Sequence, residues 1–391
     1  MKILISNKFY YNRGGDCIAS IGLEQLLSSK GHDVAFFSME HPLNFPSEWE
    51  KYFPSSVDFQ AGNINKKLKS ALRLFYSVEV KKKFLSLIEQ FKPDVVHLNN
   101  IHSQLSPYIG ELAHKKGIKV VWTLHDYKLI CPNYTCLRNG HICELCINTH
   151  HSKNVLINKC MKDSFPASLL AYLESLVWNK KRIIRNTDYF IAPSSFLGNL
   201  MIQGGFPPEK IKVIPNFTNR KYPSKIEKKD SYYCFVGRLS EEKGLHTLIQ
   251  VAKKLPYKLI VIGTGPLSKE FISDKNIEFI GFKEWDEMVP IIQRARFIVI
   301  PSEWYEVFGL VSIEAQCLGT PVLGANIGGI PETIDVPQKG ILFESKNPLD
   351  LEDKINQMYH QSFNYQQISL EAQARFSADR YYNEIIKLYK Q

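Results

Sequence analysis

Short apolar runs alternate with longer segments of helical period along most of this 391-residue chain, and this alternation restricts the possible folds more than any other feature. Runs such as KILIS, DVVHL and KVVWTL have the length of a buried strand. The segment DCIASIGLEQLLSSKGH has helical spacing and ends at Gly31, a residue typical of helix C-termini. Strands that alternate with helices form parallel sheets covered by helices, so the sequence predicts an α/β fold.

The alternation stops at the polar stretch PNFTNRKYPSKIEKKDS and then starts again. A chain of this length exceeds what one core usually supports, so we expect two doubly wound, Rossmann-like lobes with a central cleft. Ligands of such sheets bind beyond the carboxyl ends of the strands. The predicted organisation is a first lobe over 1–214, a linker over 215–230, a second lobe over 231–370 and a C-terminal helix over 371–391 that packs back on the first lobe.

The net charge of +10 lies in the first half, where residues 1–220 carry 28 Lys+Arg against 17 Asp+Glu. Part of it lies in the segment 65–88, which has helical apolar spacing. A solvated helix face and an interfacial helix on anionic lipid both fit this pattern, whereas no nucleic-acid motif accompanies the charge. The predicted membrane contacts are Lys66, Lys67, Lys69, Arg73 and Lys81 to Lys83.

The first residues, MKILISNKFYYN, contain an apolar run of three residues after one lysine. This run is too short for the core of a signal peptide or for a membrane span. We therefore expect a cytoplasmic protein that can lie peripherally on the inner face of the cell membrane.

Two glutamates eight positions apart occur in SEWYEVFGLVSIEAQCLGTPVL, residues 302–323. Glu306 falls in the loop after the buried strand RFIVIP, and Glu314 falls inside the helix that follows. The free N–H groups of Gly309 and Leu310 at the start of that helix favour an anion such as phosphate. The two carboxylates can then accept hydrogen bonds from sugar hydroxyls, although each taken alone also fits an ordinary surface position.

Two cations follow a strand in FVGRLSEEKGLHTLI, residues 235–249. Arg238 and Lys243 can hold a diphosphate and neutralise it as it leaves. The chain has no D-x-D pair of the kind that holds Mg²⁺ for a nucleotide diphosphate, so we expect these cations to replace a catalytic metal.

The motifs GRLSEEKG, VIGTGP, IEFIGF and EVFGLVSIEAQCLGTPVLGANIGGIPE, preceded by TDYFIAPSSF and KIKVIPNF, occur in this order. Together they resemble the retaining nucleotide-sugar glycosyltransferases of family 4, which have the GT-B architecture. The resemblance covers nearly the whole chain and is strongest from about 188 to 335. It implies a nucleotide-diphosphate sugar as donor, a glycan or lipid-linked acceptor, and a role in the synthesis of a cell-surface polysaccharide or glycolipid.

The resemblance also implies roles for individual residues. The residues implied at the reacting groups are Glu306, which accepts from a donor-sugar hydroxyl, His125, which reaches the donor sugar, and the diphosphate clamp of Arg238 and Lys243. The residues implied in donor binding are Gly14, Gly15, Gly281, Phe282, Phe308, Gly309, Leu310 and Glu314. A lone histidine such as His125 is more commonly a structural residue, but its place after a strand favours function.

The implied reaction is a same-face substitution in which the leaving phosphate takes the acceptor proton, and no enzyme nucleophile is required. A GT-B sugar-nucleotide epimerase and a catalytically silent scaffold that binds nucleotide sugar are the alternatives. A dinucleotide dehydrogenase is less favoured, because VIGTGPLSKE lacks the third glycine of the fingerprint.

Five of the eight cysteines lie within residues 131–160, directly after His125 and Asp126. In a reducing compartment such a cluster suggests metal or free thiols before disulfides. Cys143 and Cys146 have the spacing of a zinc knuckle. The predicted structural zinc ligands are Cys131, Cys143, Cys146 and Cys160, with Cys136, His141, His150 and His151 as alternatives.

Overall fold

The computed structural model describes residues 1–56 and 73–391, which divide into two compact units. The first unit consists of Met1–Cys136, Cys143–Pro215 and Tyr381–Gln391, and the second of Leu137–Ile142 and Asn216–Arg380. The chain therefore ends in the unit in which it begins.

The strands are short and mostly apolar, as the sequence predicts. In chain order they are β1 (Lys2–Ser6), β2 (Asp33–Phe37), β3 (Val95–Leu98), β4 (Lys119–Thr123), β5 (Leu137–Arg138), β6 (His141–Ile142), β7 (Tyr189–Ala192), β8 (Ile211–Val213), β9 (Tyr232–Val236), β10 (Lys258–Ile262), β11 (Ile277–Phe279), β12 (Ile298–Ile300), β13 (Val322–Ala325) and β14 (Gly340–Phe343).

Helices follow most of the strands. In chain order they are α1 (Gly15–Ser29), α2 (Val78–Phe91), α3 (Tyr108–Lys115), α4 (Leu145–Asn148), α5 (Asn154–Ile157), α6 (Phe165–Val177), α7 (Lys180–Arg185), α8 (Ser195–Gln203), α9 (Leu245–Ala252), α10 (Trp285–Arg294), α11 (Leu310–Cys317), α12 (Pro348–His360), α13 (Tyr365–Arg375) and α14 (Ala378–Lys390). Within residues 1–56 and 73–391, every helix is too short or too polar to cross a bilayer.

The sheet of the first unit has the order β2-β1-β3-β4-β7-β8, and all of its neighbouring strands are parallel. Consecutive residues of a strand point to opposite faces, yet Ile3, Leu4 and Ile5 are all fully buried. Both faces of this sheet are therefore covered, which explains why its strands are apolar throughout instead of alternating with polar residues.

The sheet of the second unit has the order β11-β10-β9-β12-β13-β14 and is also parallel throughout. Its core includes Leu259, Ile298 and Leu323 from three different strands. The hairpin β5–β6 is a separate two-stranded antiparallel sheet. Two parallel sheets with helices confirm the predicted α/β fold class with two Rossmann-like lobes.

The polar stretch predicted as a linker packs on the second unit. Lys229 Nζ donates to Gln293 O at 2.6 Å and to Thr320 Oγ1 at 2.8 Å. The backbone N–H of Thr218 donates to Phe376 O at 3.1 Å. These contacts give an otherwise unpatterned sequence a defined path along the second unit.

The predicted C-terminal helix over 371–391 is in fact interrupted, because α13 ends at Arg375 and α14 begins at Ala378. Phe376 lies between them with its side chain buried against Phe308, at 6.0 Å between ring centroids. Ser377 forms an isolated bridge with Thr218. A buried aromatic residue thus lies between the two helices.

Helix α14 is fixed to the first sheet by a buried histidine. The Tyr389 hydroxyl and His97 Nδ1 are hydrogen-bonded at 2.5 Å, and His97 Nε2 and Thr123 Oγ1 are hydrogen-bonded at 2.8 Å. Burial lowers the pKa of His97 to about 3, so the ring is neutral and has one donor and one acceptor nitrogen. Both ring nitrogens are satisfied only when α14 is in place.

Replacing Tyr389 by Phe is expected to lower the free energy of unfolding by about 1 to 3 kcal/mol, because His97 Nδ1 then lies buried without a partner. Tyr382→Phe is the matched control, since its hydroxyl bonds the partly buried His32 Nε2 at 2.9 Å, where water can replace it. Urea unfolding of both variants measures the difference. Equal losses in the two variants would contradict the role assigned to the buried histidine.

Candidate functional site

The loops at the carboxyl ends of the adjacent strands β9 and β12 carry most of the predicted site residues of the second unit. Because these strands are parallel neighbours, their carboxyl ends lie at one edge of the sheet. Parallel pairing therefore brings together loops that are far apart in sequence. The loop after β9 contains Arg238 and Lys243, and the loop after β12 contains Glu306.

Glu306 and Lys243 form an ion pair at this edge. Lys243 Nζ lies 2.5 Å from Glu306 Oε1, and the Ser302 hydroxyl donates to the same oxygen at 2.8 Å. The Glu306 side chain is only 11% exposed, whereas that of Lys243 is 24% exposed. The carboxylate is thus held by a hydroxyl group of its own loop, and the ammonium group is the part of the pair that solvent or a ligand can reach.

The environment of Glu306 keeps it ionised. Burial by itself raises the pKa of this carboxyl group, but the charge and hydrogen bond of Lys243 and the hydrogen bond from Ser302 outweigh burial and lower the pKa below its ordinary value. The Lys243 ammonium also lies 5.3 Å from the centroid of the Trp304 ring. The site therefore presents a fixed anion and a fixed cation side by side.

Glycines allow the loops to approach one another closely. A Cβ on Gly244, whose φ is +68°, would lie 1.8 Å from Pro301 O at the end of β12. A Cβ on Gly263 would lie 1.9 Å from Gly237 O. No side chain fits at either distance, so these two glycines set the spacing between the loop that carries Lys243 and its neighbours on both sides.

The glycine pair of the motif NIGGIPE supports the backbone of Glu306. The N–H of Gly329 donates to Glu306 O at 2.7 Å, and a Cβ on Gly328 would lie 2.5 Å from both Glu306 N and Glu306 O. The motif contributes to the sequence resemblance, but its role is visible only in the fold. It places the Glu306 carboxylate by holding its main chain.

Helix α11 begins after Gly309, as the sequence predicts. Gly309 has a φ of +94° and supplies no capping side chain, so the first N–H groups of α11 are available to a ligand. The Phe308 side chain is buried against Phe376, which leaves only its backbone for binding. The Leu310 side chain is half-buried at the first position of the helix.

Glu314 lies one turn into α11 and pairs with a residue that the sequence did not indicate. Arg220 Nε lies 3.3 Å from Glu314 Oε1, and the Arg220 guanidinium lies 4.3 Å from the centroid of the Trp285 ring. Burial raises the pKa of Glu314, and Arg220 offsets only part of this effect. The structure therefore places Glu314 beside the stretch predicted as a linker.

Gly281 and Phe282 follow β11. Gly281 has a φ of +72°, and its carbonyl accepts from Gly263 N at 2.8 Å. The Phe282 side chain is 64% exposed, so an aromatic ring is available for stacking at this sheet edge. Arg238 is also exposed, and within residues 1–56 and 73–391 its guanidinium makes no hydrogen bond or ion pair with another side chain, which leaves it free for an anion.

The first unit holds three other predicted residues. Gly14 precedes α1 in an extended conformation, and a Cβ there would meet Asp16 Oδ1 at an ordinary 3.6 Å. Gly15 is the first residue of α1. The conformation of Gly14 does not itself require glycine, in contrast to Gly244 and Gly309.

His125 follows β4 and donates from Nε2 to Asn99 Oδ1 at 2.9 Å. Burial lowers the pKa of His125 well below its ordinary value, with Asp16 opposing this effect and Lys8 adding to it. The ring is therefore neutral at pH 7, and the bond to Asn99 leaves Nδ1 as a hydrogen-bond acceptor. Asn99 and Asp16 had no motif that could have identified them, because their role depends on the neighbouring strands.

The cysteines of the segment 131–160 are all free thiols. The Cys136 thiol donates to Cys131, and this bond lowers the pKa of the Cys131 thiol. Cys160 instead points its sulfur toward Asn154 O at 3.9 Å. Among the described residues no group of three or more His, Cys, Asp or Glu side chains is arranged to hold a metal ion. Structural zinc at Cys131, Cys143, Cys146 and Cys160 therefore stays a prediction, which metal analysis of the purified protein tests.

The predicted membrane face over 65–88 needs a correction. Arg73 is only 7% exposed, because its guanidinium donates to Gln104 O at 3.1 Å and lies 3.7 Å from the Glu79 carboxylate. Lys83 bonds Glu40 and Phe53 O. Lys66, Lys67 and Lys69 lie outside the described residues. Of the predicted contacts within the described residues, Lys82 is the exposed one and Lys81 is half-buried.

Comparison with families of known proteins gives two matches. Residues 22–222 match the family described as Glycosyltransferase Family 4, and residues 216–379 match Glycosyl transferases group 1. The two matches together cover most of both units. They agree with the resemblance drawn from the sequence motifs.

Individual proteins are similar over most of the chain. An uncharacterized 42.6 kDa protein in the cps region of Klebsiella pneumoniae is 28% identical over 353 residues, which cover 85% of this chain and 87% of that protein. A sucrose-phosphate synthase of Thermosynechococcus elongatus has a TM-score of 0.72 at 19% identity and covers 100% of this chain and 98% of its own. Anabaena HepE in complex with UDP-glucose has a TM-score of 0.66 at 18% identity and covers 100% and 99%. The two solved structures confirm the fold class.

Replacing Gly244 by Ala is expected to disrupt the approach between the β9 and β12 loops, because the new Cβ would lie 1.8 Å from Pro301 O. Gly281→Ala is the matched control, since Gly281 also has a positive φ but nothing lies within 4 Å of its Cβ position. The control should lose only about 1 kcal/mol of stability from backbone strain, and Gly244→Ala clearly more. Thermal unfolding of both variants measures this, and equal losses would show that the loops are not in enforced contact.

Proposed function

This chain belongs to Glycosyltransferase Family 4, also matches Glycosyl transferases group 1, and is a glycosyltransferase of the GT-B fold class. We propose that it moves a hexosyl-type sugar from a nucleotide diphosphate sugar to a hydroxyl group of a glycan or lipid-linked acceptor, with retention of configuration. The observation that supports this most is the Glu306–Lys243 ion pair in loops at one sheet edge. An anion and a cation fixed side by side suit a ligand that carries both hydroxyl groups and phosphate.

The diphosphate of the donor would bind to Arg238, to Lys243 and to the first N–H groups of α11. Arg238 is exposed and free of side-chain partners in the described structure, and the Lys243 ammonium is the accessible part of its ion pair. Two cations and a helix N-terminus stabilise the negative charge that develops on the leaving diphosphate. The proposal includes no catalytic metal.

The Glu306 carboxylate would accept a hydrogen bond from a hydroxyl of the donor sugar. It is ionised, and its Oε1 atom is occupied by Lys243 and Ser302, so the second oxygen is the natural acceptor. Glu314 would accept from the ribose hydroxyls, and the exposed Phe282 ring beside Gly281 would lie against the nucleobase. The Anabaena protein HepE, of similar fold, is described in complex with UDP-glucose, which supports a nucleotide-sugar donor.

The reaction would be a same-face substitution. The bond from the anomeric carbon to the phosphate oxygen breaks, the acceptor oxygen bonds to that carbon from the same side, and the leaving phosphate oxygen takes the acceptor proton. The protein contributes positioning and charge stabilisation rather than a nucleophile. His125, neutral and with Nδ1 as an acceptor, would hold a hydroxyl of the donor sugar.

The acceptor would belong to a cell-surface polysaccharide or glycolipid, and the protein would work peripherally at an anionic membrane surface. The similar protein from the cps region of Klebsiella pneumoniae supports this pathway. A GT-B sugar-nucleotide epimerase or a catalytically silent scaffold are the alternatives. Release of free sugar from the donor in the absence of acceptor separates an active transferase from a silent scaffold, and an epimerised nucleotide sugar among the products would indicate the epimerase.

Glu306→Gln and Lys243→Ala are each expected to lower transfer at least about a hundredfold, because each removes a charge-assisted contact to the reacting group. Glu303→Gln is the matched control. Glu303 lies in the same loop, accepts from Thr247 Oγ1 at 2.5 Å and is 4.0 Å from Lys346, but it is not part of the proposed site. Initial rates with UDP-, GDP- and ADP-hexoses, together with melting temperatures, provide the measurement.

Unchanged rates in both site variants would overturn the assignment of Glu306 and Lys243. A loss in Glu303→Gln as large as in Glu306→Gln would mean that the loop fold, and not the carboxylate, determines the rate. The anomeric configuration of the product, read by NMR, tests retention separately.

A further inference from the structure

Helix α6 of the first unit is amphipathic, but polar side chains lie on its buried face and large apolar side chains lie on its exposed face. The residues of FPASLLAYLESLV that face the protein interior are Ser168, Ala171 and Glu174. Four apolar residues of the same helix are instead exposed: Phe165 by 53%, Leu173 by 38%, Leu176 by 50% and Val177 by 36%. In a helix that covers a core the leucines would be inside, so this arrangement requires an explanation.

The exposed residues lie on one face. Phe165, Leu169, Leu173 and Leu176 follow one another at intervals of four, four and three residues, which places them in a continuous stripe along the helix. Leu169 is half-buried. We call these four residues, together with Val177, the α6 stripe.

Two polar contacts fix the orientation of α6. The Ser168 hydroxyl accepts from Met161 N at 3.0 Å, and the Glu174 carboxylate lies 2.8 Å from Lys128 Nζ. Both side chains are buried, so rolling the helix to hide the leucines would break a hydrogen bond and separate a buried ion pair. The outward position of the α6 stripe is therefore built into the fold.

A neighbouring helix extends the apolar surface. Helix α5 packs against α6, and its last residue, Ile157, is 67% exposed. The two helices thus present several large apolar side chains on adjoining elements, which is more than the isolated exposed residues found on ordinary protein surfaces.

The surroundings of the α6 stripe are strongly basic. Residues 150–185 contain seven Lys+Arg against two Asp+Glu, and one of the two acids, Glu174, is buried and paired with Lys128. The exposed cations lie before α5, before α6 and after α6, and they are Lys153, Lys159, Lys162, Lys181 and Arg185. The apolar surface is therefore bordered by positive charge at both ends.

A cavity of about 250 Å³ adjoins the helix. Its lining includes Tyr172 and Leu176 of α6 and three lysines, Lys128, Lys153 and Lys180. Lys128 is neutralised by Glu174, whereas Lys153 is exposed and has no partner of opposite charge among the described residues. The cavity can therefore accept an anionic group next to an apolar surface.

We propose that the α6 stripe and its basic border form a docking surface for a lipid bilayer that contains anionic phospholipid. At about 20 Å in length, α6 is too short to span a bilayer and would lie flat in the interface. Its apolar side chains would enter the acyl boundary, while the lysines contact headgroup phosphates. This inference deepens the proposed function and rests on it, because a lipid-linked acceptor would lie at such a membrane.

Charge and shape favour a bilayer over a protein partner. The apolar residues lie on the outer face of one helix, with the cavity beside Leu176, and the border carries five exposed cations against one exposed acid, Asp163. Anionic headgroups surround an inserted helix on all sides, which matches cations at both ends of the α6 stripe. A second copy of this chain would place the two basic borders against each other.

The test is flotation of the full-length protein with vesicles of phosphatidylcholine and phosphatidylglycerol, and with vesicles of phosphatidylcholine alone, in the absence of donor and acceptor. The wild type should float with the anionic vesicles and be released as salt rises, since screening weakens the lysine contacts. The triple variant Phe165→Ser, Leu173→Ser, Leu176→Ser should lose binding at least about tenfold.

The matched control is Ile272→Ser with Leu349→Ser, two apolar residues of the second unit that are 85% and 74% exposed. It should bind vesicles as the wild type does. Because all five side chains face outward, melting temperatures and nucleotide-sugar binding should be unchanged in both variants. These two measurements distinguish loss of the docking surface from unfolding and from an error in the assignment of the donor site.

Three outcomes would overturn the proposal: a wild type that stays with the buffer fraction, a triple variant that floats like the wild type, or a wild-type dimer that the triple variant converts to monomer. The last would mean that the α6 stripe docks a second copy. Vesicle binding without any sugar transfer would leave the docking surface supported and overturn only the proposed function.

Discussion

Parallel strand pairing is the constraint on which both units depend. In a parallel sheet all carboxyl ends lie at one edge, so loops that are far apart in the chain become neighbours there. Lys243 and Glu306 are separated by 63 residues, yet they form an ion pair because β9 and β12 are adjacent strands. The same constraint places His125 beside Asn99 in the first unit, through the adjacent strands β4 and β3.

Strand pairing alone does not determine the distances at the site, and glycines complete the arrangement. Gly244 and Gly263 let main chains touch where any side chain would separate them, and Gly328 and Gly329 support the Glu306 backbone from a third loop. The ion pair that results is mostly buried on the carboxylate side. Such pairs contribute little net stability, since desolvation of the charges offsets their attraction. In the proposed function, this pair serves a ligand that needs both charges.

The first unit shows a comparable relation between polar contacts and an exposed surface. Ser168 and Glu174 are buried on the inner face of α6, and each is satisfied by a specific partner. These contacts determine the rotation of the helix, and the leucines on the other face consequently point outward. The positions of these polar partners in the fold thus determine both the stability of α6 and the apolar character of its exposed face.

The element types and the parallel architecture could be predicted from the sequence alone, and so could the positions of the motif residues near the carboxyl ends of the strands. These follow from local periodicity, from glycine and proline positions and from short spacings, all of which act between near neighbours in the chain. The sequence did not determine the pairing of Glu314 with Arg220, 94 residues away, or the burial of Arg73 against Gln104 O. The sequence predicted basic membrane contacts over 65–88, but it did not indicate the exposed apolar stripe of α6. Only the tertiary structure decides such questions, because the burial of a side chain depends on which distant partner can satisfy its charge or hydrogen bonds.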